Sequence, residues 1–249
     1  MKSVAIGTVN LAAGMPKIGV VLTGTKRSTL LGQAGQVLSS AAQIVEWRLT
    51  GADDLENRAE LINTATQLRQ VLGTIPMIAT IQVDQAIEAA TYYGTYLTLV
   101  NNRLCDAIEL DLNRLAHREF MTLTIQMRSQ KIKLILNQTY QTTPNVSQVV
   151  TDYQAMAAAG ADIARVRMQP ETATALLTLM TATATAGTKL SLPLIVTATG
   201  ALGRYGAACG QLFGSTIVFG RVGRVGGMGQ LPVSQLKQTL QTLATVEGA

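Results

Sequence analysis

The 249-residue chain is 47% hydrophobic and only 14% charged, with a mean hydropathy of +0.25; this is enough apolar material for a large core, but no apolar run nears the roughly 18–20 residues of a membrane-crossing helix. The net charge of +5 comes from Lys and Arg scattered along the chain, with 4% aromatics, too few for a base-stacking platform, so nucleic acid is excluded as a partner along with membrane. The N-terminus is a poor signal peptide and the two cysteines, Cys105 and Cys209, set up neither a disulfide framework nor a metal spacing; a cytoplasmic protein without metal or cofactor is expected.

In chain order, residues 1–14 alternate and turn at Gly7, as a hairpin would. Strand runs then alternate with helical spacing. Residues 17–24 read as a strand and 29–41 as a helix; 43–50 as a strand and 53–72 as a helix opened by Asp53 and Asp54, where the helix dipole favours acid. Residues 76–82, 105–112, 131–138, 161–170, 192–199 and 215–220 are further strands. The helices that follow them are read at 84–100, 113–128, 145–160, 171–186, 203–212 and 232–246. Eight strand–helix units with short connections predict an α/β fold, a (β/α)8 TIM barrel with the N-terminal β-hairpin closing its bottom, and a single domain over 1–249. An open doubly wound sheet is the rival, but it more often stops at fewer strands.

In a barrel, chemistry sits at the C-terminal strand ends. The polar residues there are Thr23, Glu46, Arg48, Thr80, Gln82, Glu109, Asp111, Asn137, Gln138, Arg165, Arg167, Thr197 and Thr199, with Arg221 and Arg224 after the last strand. Arg165 and Arg167 are two apart and leave one face of a strand that should be interior; they are expected to line a cavity. Glu46 and Arg48 share a face in the same way and are placed to pair. Arg48 and Arg165 would suit a small anionic carboxylate, because guanidinium grips carboxylate in a bidentate fork. Glu109 and Asp111 suggest an acid–base pair or a metal, but no histidine supports them. The only histidine, His117, is expected mid-helix on the outer ring. The Gly-rich stretches at 200–210 and 220–229 flank the eighth strand and lack a dinucleotide or P-loop pattern.

These residues, in order and spacing, resemble the type I 3-dehydroquinate dehydratases of the shikimate pathway. "VNLAAGMPKIGVVLTG", "IVEWRLT", "IPMIATIQ", "AIELDL", "LILNQTYQTTP", "GADIARVRMQP", "GQLFGSTIVFG" and "GMGQLPVSQLKQTL" carry the likeness across nearly the whole chain. The resemblance implies removal of water from 3-dehydroquinate through a Schiff base, with a Lys on the sixth strand, a proton-shuttling His on the fifth and a Ser/Gln lid on the eighth loop. It also suggests a homodimer. Carried over residue by residue, Glu46, Arg48 and the lid Gln230 are retained. The imine-forming Lys position holds Arg165, the His position Gln138, and the third-strand Arg position Gln82; Ala207 and Gly226 stand where the carboxylate-gripping Arg and the lid Ser are expected. Guanidinium stays protonated and cannot attack a ketone near neutral pH, and an amide does not titrate. Three functions stay open: a degenerate paralogue binding a small carboxylate at Glu46, Arg48, Gln82, Glu109, Asp111, Gln138, Arg165, Arg167 and Gln230; a dehydratase or related lyase without an imine, using Glu46 or Asp111 as base; and a non-catalytic scaffold.

Overall fold

The structure is a computed structural model that describes residues 2–50, 55–82, 87–227 and 229–244. A hairpin of β1 (Val4–Ile6) and β2 (Val9–Leu11) leads into the barrel. Its strands and helices are β3 (Lys17–Thr23), α1 (Arg27–Leu38), β4 (Ile44–Leu49), α2 (Arg58–Leu72), β5 (Met77–Ile81), α3 (Ala89–Asn101), β6 (Ala107–Asp111) and α4 (Arg118–Gln130). They continue as β7 (Lys133–Tyr140), α5 (Val146–Ala158), β8 (Ile163–Met168), α6 (Ala173–Gly187), β9 (Leu194–Ala198), α7 (Gly203–Ala208), α8 (Gly210–Phe213), β10 (Ile217–Phe219) and α9 (Val233–Ala244). Eight parallel strands stand side by side in the order β10-β3-β4-β5-β6-β7-β8-β9. The ring closes between β9 and β10 through a parallel bridge at Leu194 and Ser215 and a 2.8 Å bond from the Thr216 amide to the Leu194 carbonyl. This is the predicted (β/α)8 barrel with its N-terminal hairpin. Among the described residues no helix is long and apolar enough to cross a membrane.

The period of two along each strand divides the apolar residues into two cores. Outward positions such as Val20, Trp47, Ala79, Ile108, Leu136, Val166 and Val196 pack under the helices. Inward positions low in the barrel, Ile44, Ile78, Ile135, Ile163, Ile195 and Ile217, form a separate core with Ile6 and Leu11 of the hairpin. The hairpin therefore plugs the bottom with two fully buried side chains. Two residues further up, five of these strands turn inward Glu46, Thr80, Asn137, Arg165 and Thr197, all buried, while β10 keeps an apolar residue there, Phe219. The polarity of the interior thus switches on most strands from bottom to top, which places the buried charged side chains Glu46 and Arg165 in the upper half of the barrel.

Side chains at the bottom tie β6 and β8 to the strands before them. Asp106, just before β6, accepts a 2.8 Å bond from the Met77 amide of β5 and pairs with Arg69 at 2.7 Å. Asp162, just before β8, accepts from the Leu134 amide of β7 at 2.9 Å. Three helices start at residues whose side-chain oxygens take an orphan amide: Asn57 accepts from Glu60, Asn145 from Gln148 and Thr172 from Ala175.

The structure moves some expected boundaries. Asp53, Asp54, residues 84–86 and residues 245–246 of the expected helices lie outside the described residues. The helix expected at 113–128 starts later. Leu112–Arg114 form a 3-10 turn, and His117 is the extended residue that opens α4 (φ −77°, ψ 137°). His117 is therefore an exposed cap residue on the loop after β6, not a mid-helix residue of the outer ring. The bond from the His117 amide to the Arg114 carbonyl at 3.4 Å closes this turn before the helix begins. The helix expected at 203–212 is two short helices parted at Cys209.

One contact in the barrel wall needs a missing side chain. A Cβ added to Gly19 on β3 would lie 2.8 Å from the Phe219 ring of β10. That ring in turn faces the Arg165 guanidinium at 4.7 Å. Gly19→Ala is expected to cost about 1–3 kcal/mol by overpacking, read as a lower urea midpoint at unchanged slope. An unchanged midpoint would mean that the ring has room to move.

Candidate functional site

Alternate strands supply the charged centre of the barrel. β4 contributes Glu46 and Arg48, β6 Glu109, and β8 Arg165 and Arg167. Arg165 has 0% exposure. Its Nη1 donates to Glu46 Oε2 at 2.7 Å and to Glu109 Oε2 at 2.5 Å, and its Nε donates to Thr197 Oγ1 at 3.0 Å. Arg167 Nη2 donates to Glu109 Oε1 at 3.0 Å and to Glu46 Oε1 at 3.3 Å. Arg48 Nε donates to the same Glu46 oxygen at 2.7 Å. The side chain of Arg48 is 19% exposed, against 0% for that of its partner. Glu46 therefore pairs with Arg48 and with Arg165 at once.

The electrostatics follow from this crowding. Burial works against the Glu46 charge, but the guanidiniums of Arg165, Arg48 and Arg167 hold its carboxyl well below the usual carboxylate range. Burial also opposes the charge on Arg165, yet Glu109 and Glu46 push its pKa up. Arg167 is pulled down, by burial and then by Arg165 beside it. A buried ion cluster of this kind holds only while every member keeps its partners.

Above the cluster lies a cavity of about 460 Å³, within the range of small-molecule sites. Of the expected site residues, Gln82, Glu109, Asp111, Gln138 and Arg167 line it. Asp111 Oδ1 accepts from Asn137 Nδ2 at 3.1 Å. Burial pushes the Asp111 carboxyl above its usual value, offset in part by that bond. Arg165 lies beneath the cavity and is not part of its lining. The expected grip of Arg165 on a ligand gives way to a role inside the protein, because its Nε and Nη1 are committed to Thr197, Glu46 and Glu109.

Gln230 folds onto its own loop instead of the cluster. Its Oε1 accepts from the Gly227 amide at 2.8 Å. Gly226 stands at φ +120°, and a Cβ there would fall 2.7 Å from Gln230 Oε1, so this turn is suited to glycine. Arg221 also serves the loop, donating to the carbonyls of Gln230 and Gly223 at 3.1 and 2.7 Å.

Sequence reasoning missed Tyr92, Asn113 and Arg114, all of which line the cavity. Arg114, on the turn after β6, lies 4.2 Å over the Tyr92 ring, a cation–π stack that fixes its head group. Tyr96 of α3 bridges neighbouring strands, donating to the Glu109 carbonyl and accepting from the Ile81 amide at 2.9 Å. The available signal was the turn sequence Leu112-Asn113-Arg114 directly after the strand-end Asp111. Among the described residues no three His, Cys, Asp or Glu side chains are grouped to hold a metal ion.

The family model for Type I 3-dehydroquinase matches residues 18–247. The 3-dehydroquinate dehydratase of Enterococcus faecalis is 30% identical over 229 residues, covering 88% of this chain and 89% of that protein. That of Lactiplantibacillus plantarum is 27% identical over 226 residues, covering 89% and 90%. The solved structure of the E. faecalis enzyme superposes with a TM-score of 0.87 at 27% identity, covering 97% of this chain and 99% of that one. The type I enzyme of Clostridium difficile, solved with covalently modified comenic acid, superposes with a TM-score of 0.89 at 22% identity, covering 98% of each chain. A match that starts in β3, ends past α9 and spans the whole charged centre means that the chain belongs to the Type I 3-dehydroquinase family.

Proposed function

We propose that this family member does not dehydrate through a Schiff base, and that its mouth holds a small carboxylate instead. The observation that carries the reading is Arg165. It stands where the resemblance puts the imine-forming lysine, and it is fully buried with two carboxylates on its guanidinium. An imine needs a neutral primary amine, and among the described residues that line the mouth cavity there is no lysine. Gln138, at the position of the proton-shuttling histidine, lines the cavity with an amide that neither gives nor takes a proton near neutral pH.

A second reading keeps dehydration and drops the imine. It rests on Asp111, a cavity carboxylate whose pKa burial pushes up, as a general base requires. Glu46 is the poorer base, because three guanidiniums hold it ionised and occupy its oxygens. The deciding test is an assay of the purified protein on 3-dehydroquinate, followed by the ultraviolet absorbance of 3-dehydroshikimate, with borohydride trapping read by intact mass. The expected result is neither product nor adduct. Product without adduct would favour the Asp111 reading, and a trapped adduct would overturn both.

A further inference from the structure

β5 and β6 pair over three positions only: Ile78 with Ala107, Ala79 with Ile108 and Thr80 with Glu109. Neither strand ends there. β5 runs on to Ile81, paired with Leu49 of β4, and β6 runs on to Asp111, paired with Asn137 of β7. The barrel wall thus parts between two strands that both continue. In the same register, the Ile81 amide would next meet the Glu109 carbonyl, and the Asp111 amide the Ile81 carbonyl. Both amides are taken by tyrosine hydroxyls of α3. Tyr96 accepts from the Ile81 amide at 2.9 Å and donates to the Glu109 carbonyl, and Tyr92 accepts from the Asp111 amide at 3.4 Å.

Buried backbone groups are nearly always paired, so strands part in an interior only where a substitute reaches them. A phenol hydroxyl suits the task, being donor and acceptor at once. Burial pushes the Tyr96 phenol well above its usual pKa, so it keeps the proton it donates. Tyr92 and Tyr96 are four apart on one helix face. Their rings meet edge to face at 5.1 Å, and both side chains are buried. Tyr93 donates to the Arg114 carbonyl at 2.5 Å and ties the turn after β6 to the same helix. The mouth cavity lies at the parting. Thr80 and Ile81 line it from β5, Glu109 and Asp111 from β6, and Tyr92 from α3, while Tyr96 stands outside the lining.

We propose that Tyr96 is a positioning residue whose hydroxyl wedges β5 from β6 and thereby sets the width of the mouth cavity. It acts through the backbone of Ile81 and Glu109. Through Glu109 it also places the carboxylate that accepts from Arg165 and Arg167. The wedge works in the same way whatever occupies the mouth.

Tyr96→Phe keeps the ring and its packing and removes only the hydroxyl. A crystal structure of this variant is expected to show the Ile81 amide bonded directly to the Glu109 carbonyl at about 2.9 Å. The cavity should shrink below the 460 Å³ of the wild type. Unmoved strands, with a water in the hydroxyl's place or with the two groups left unmatched, would overturn the wedge. The Asp111 carboxyl gives a readout that ring packing alone would not move. Burial already pushes it up, and Glu109, Arg114 and Arg167 face it. As the cavity narrows around it in Tyr96→Phe, it should titrate higher still by carbon NMR; an unchanged titration counts against the wedge. The wild type supplies a test that needs no variant. Its Tyr96 hydroxyl proton should exchange slowly with solvent and show a cross-peak to the Ile81 amide proton. Exchange as fast as that of an exposed tyrosine would overturn the proposal.

Discussion

Replacing Arg165 by methionine is expected to destabilise the protein by about 3–5 kcal/mol, the usual result of breaking a buried ion pair from one side. At roughly 2–4 °C per kcal/mol for a domain of this size, the midpoint should fall by about 6–20 °C. Methionine fills much of the volume, so the loss comes from charge. Glu46 would keep Arg48 and Arg167, but Glu109 would be left with Arg167 alone, and the Thr197 hydroxyl would lose its donor. The control is Arg165→Met in a Glu109→Gln background. If the network acts as a unit, the double variant should be less destabilised than the sum of the singles, by roughly 0.5–3 kcal/mol. Strict additivity would mean that Arg165 and Glu109 are not coupled, and that the loss runs through Glu46, Thr197 or the packing on Phe219.

The second large effect concerns Glu46, the carboxylate that accepts from all three arginines. Glu46→Gln should cost about 3–5 kcal/mol at pH 7. Its pH dependence carries the sign. The folded-state pKa of Glu46 lies below its unfolded value, so the folded form binds that proton more weakly. The stabilisation is fully present above the unfolded value, about 4.3, and is lost as pH falls through the folded one. Wild type should therefore lose up to about 1.4 kcal/mol per pH unit more than Glu46→Gln as pH falls below about 4. The gap between the two proteins, measured by urea unfolding from pH 7 to pH 2, should narrow only in that acid range. A constant gap would show that the carboxyl is not held low by its arginines.

The barrel was legible because its interior is written with period two. Ile44-x-Glu46-x-Arg48, Ile135-x-Asn137-x-Thr139 and Ile163-x-Arg165-x-Arg167 each place the apolar residue low and the polar ones high on one face. Spacing alone put Arg165 and Arg167 side by side. It did not give their partners, because Glu46 and Glu109 lie 119 and 56 residues before Arg165, and pairing at such distance is set by strand order around the ring. Arg114 escaped for a different reason. The stretch 113–128 has no Gly or Pro to mark where turn becomes helix, and its true start is set by the Tyr93 hydroxyl and the His117 amide, both of which donate to the Arg114 carbonyl. The break at Cys209 between α7 and α8 was hidden in the same way, by small residues that suit a helix as well as a turn.

The cross-barrel cluster also bears on the order in which the chain acquires structure. Contacts between β4 and β8 close loops of about 120 residues, and such non-local contacts form late because their closure entropy must be met before they contribute. Until β8 is in place, Glu46 and Glu109 have no Arg165 or Arg167 to answer them. A nascent chain that has emerged only as far as β7 would hold two carboxylates in a half-built interior, where they favour solvent over burial. Glu46 and Glu109 can therefore be buried with their full set of partners only once β8 has joined the sheet.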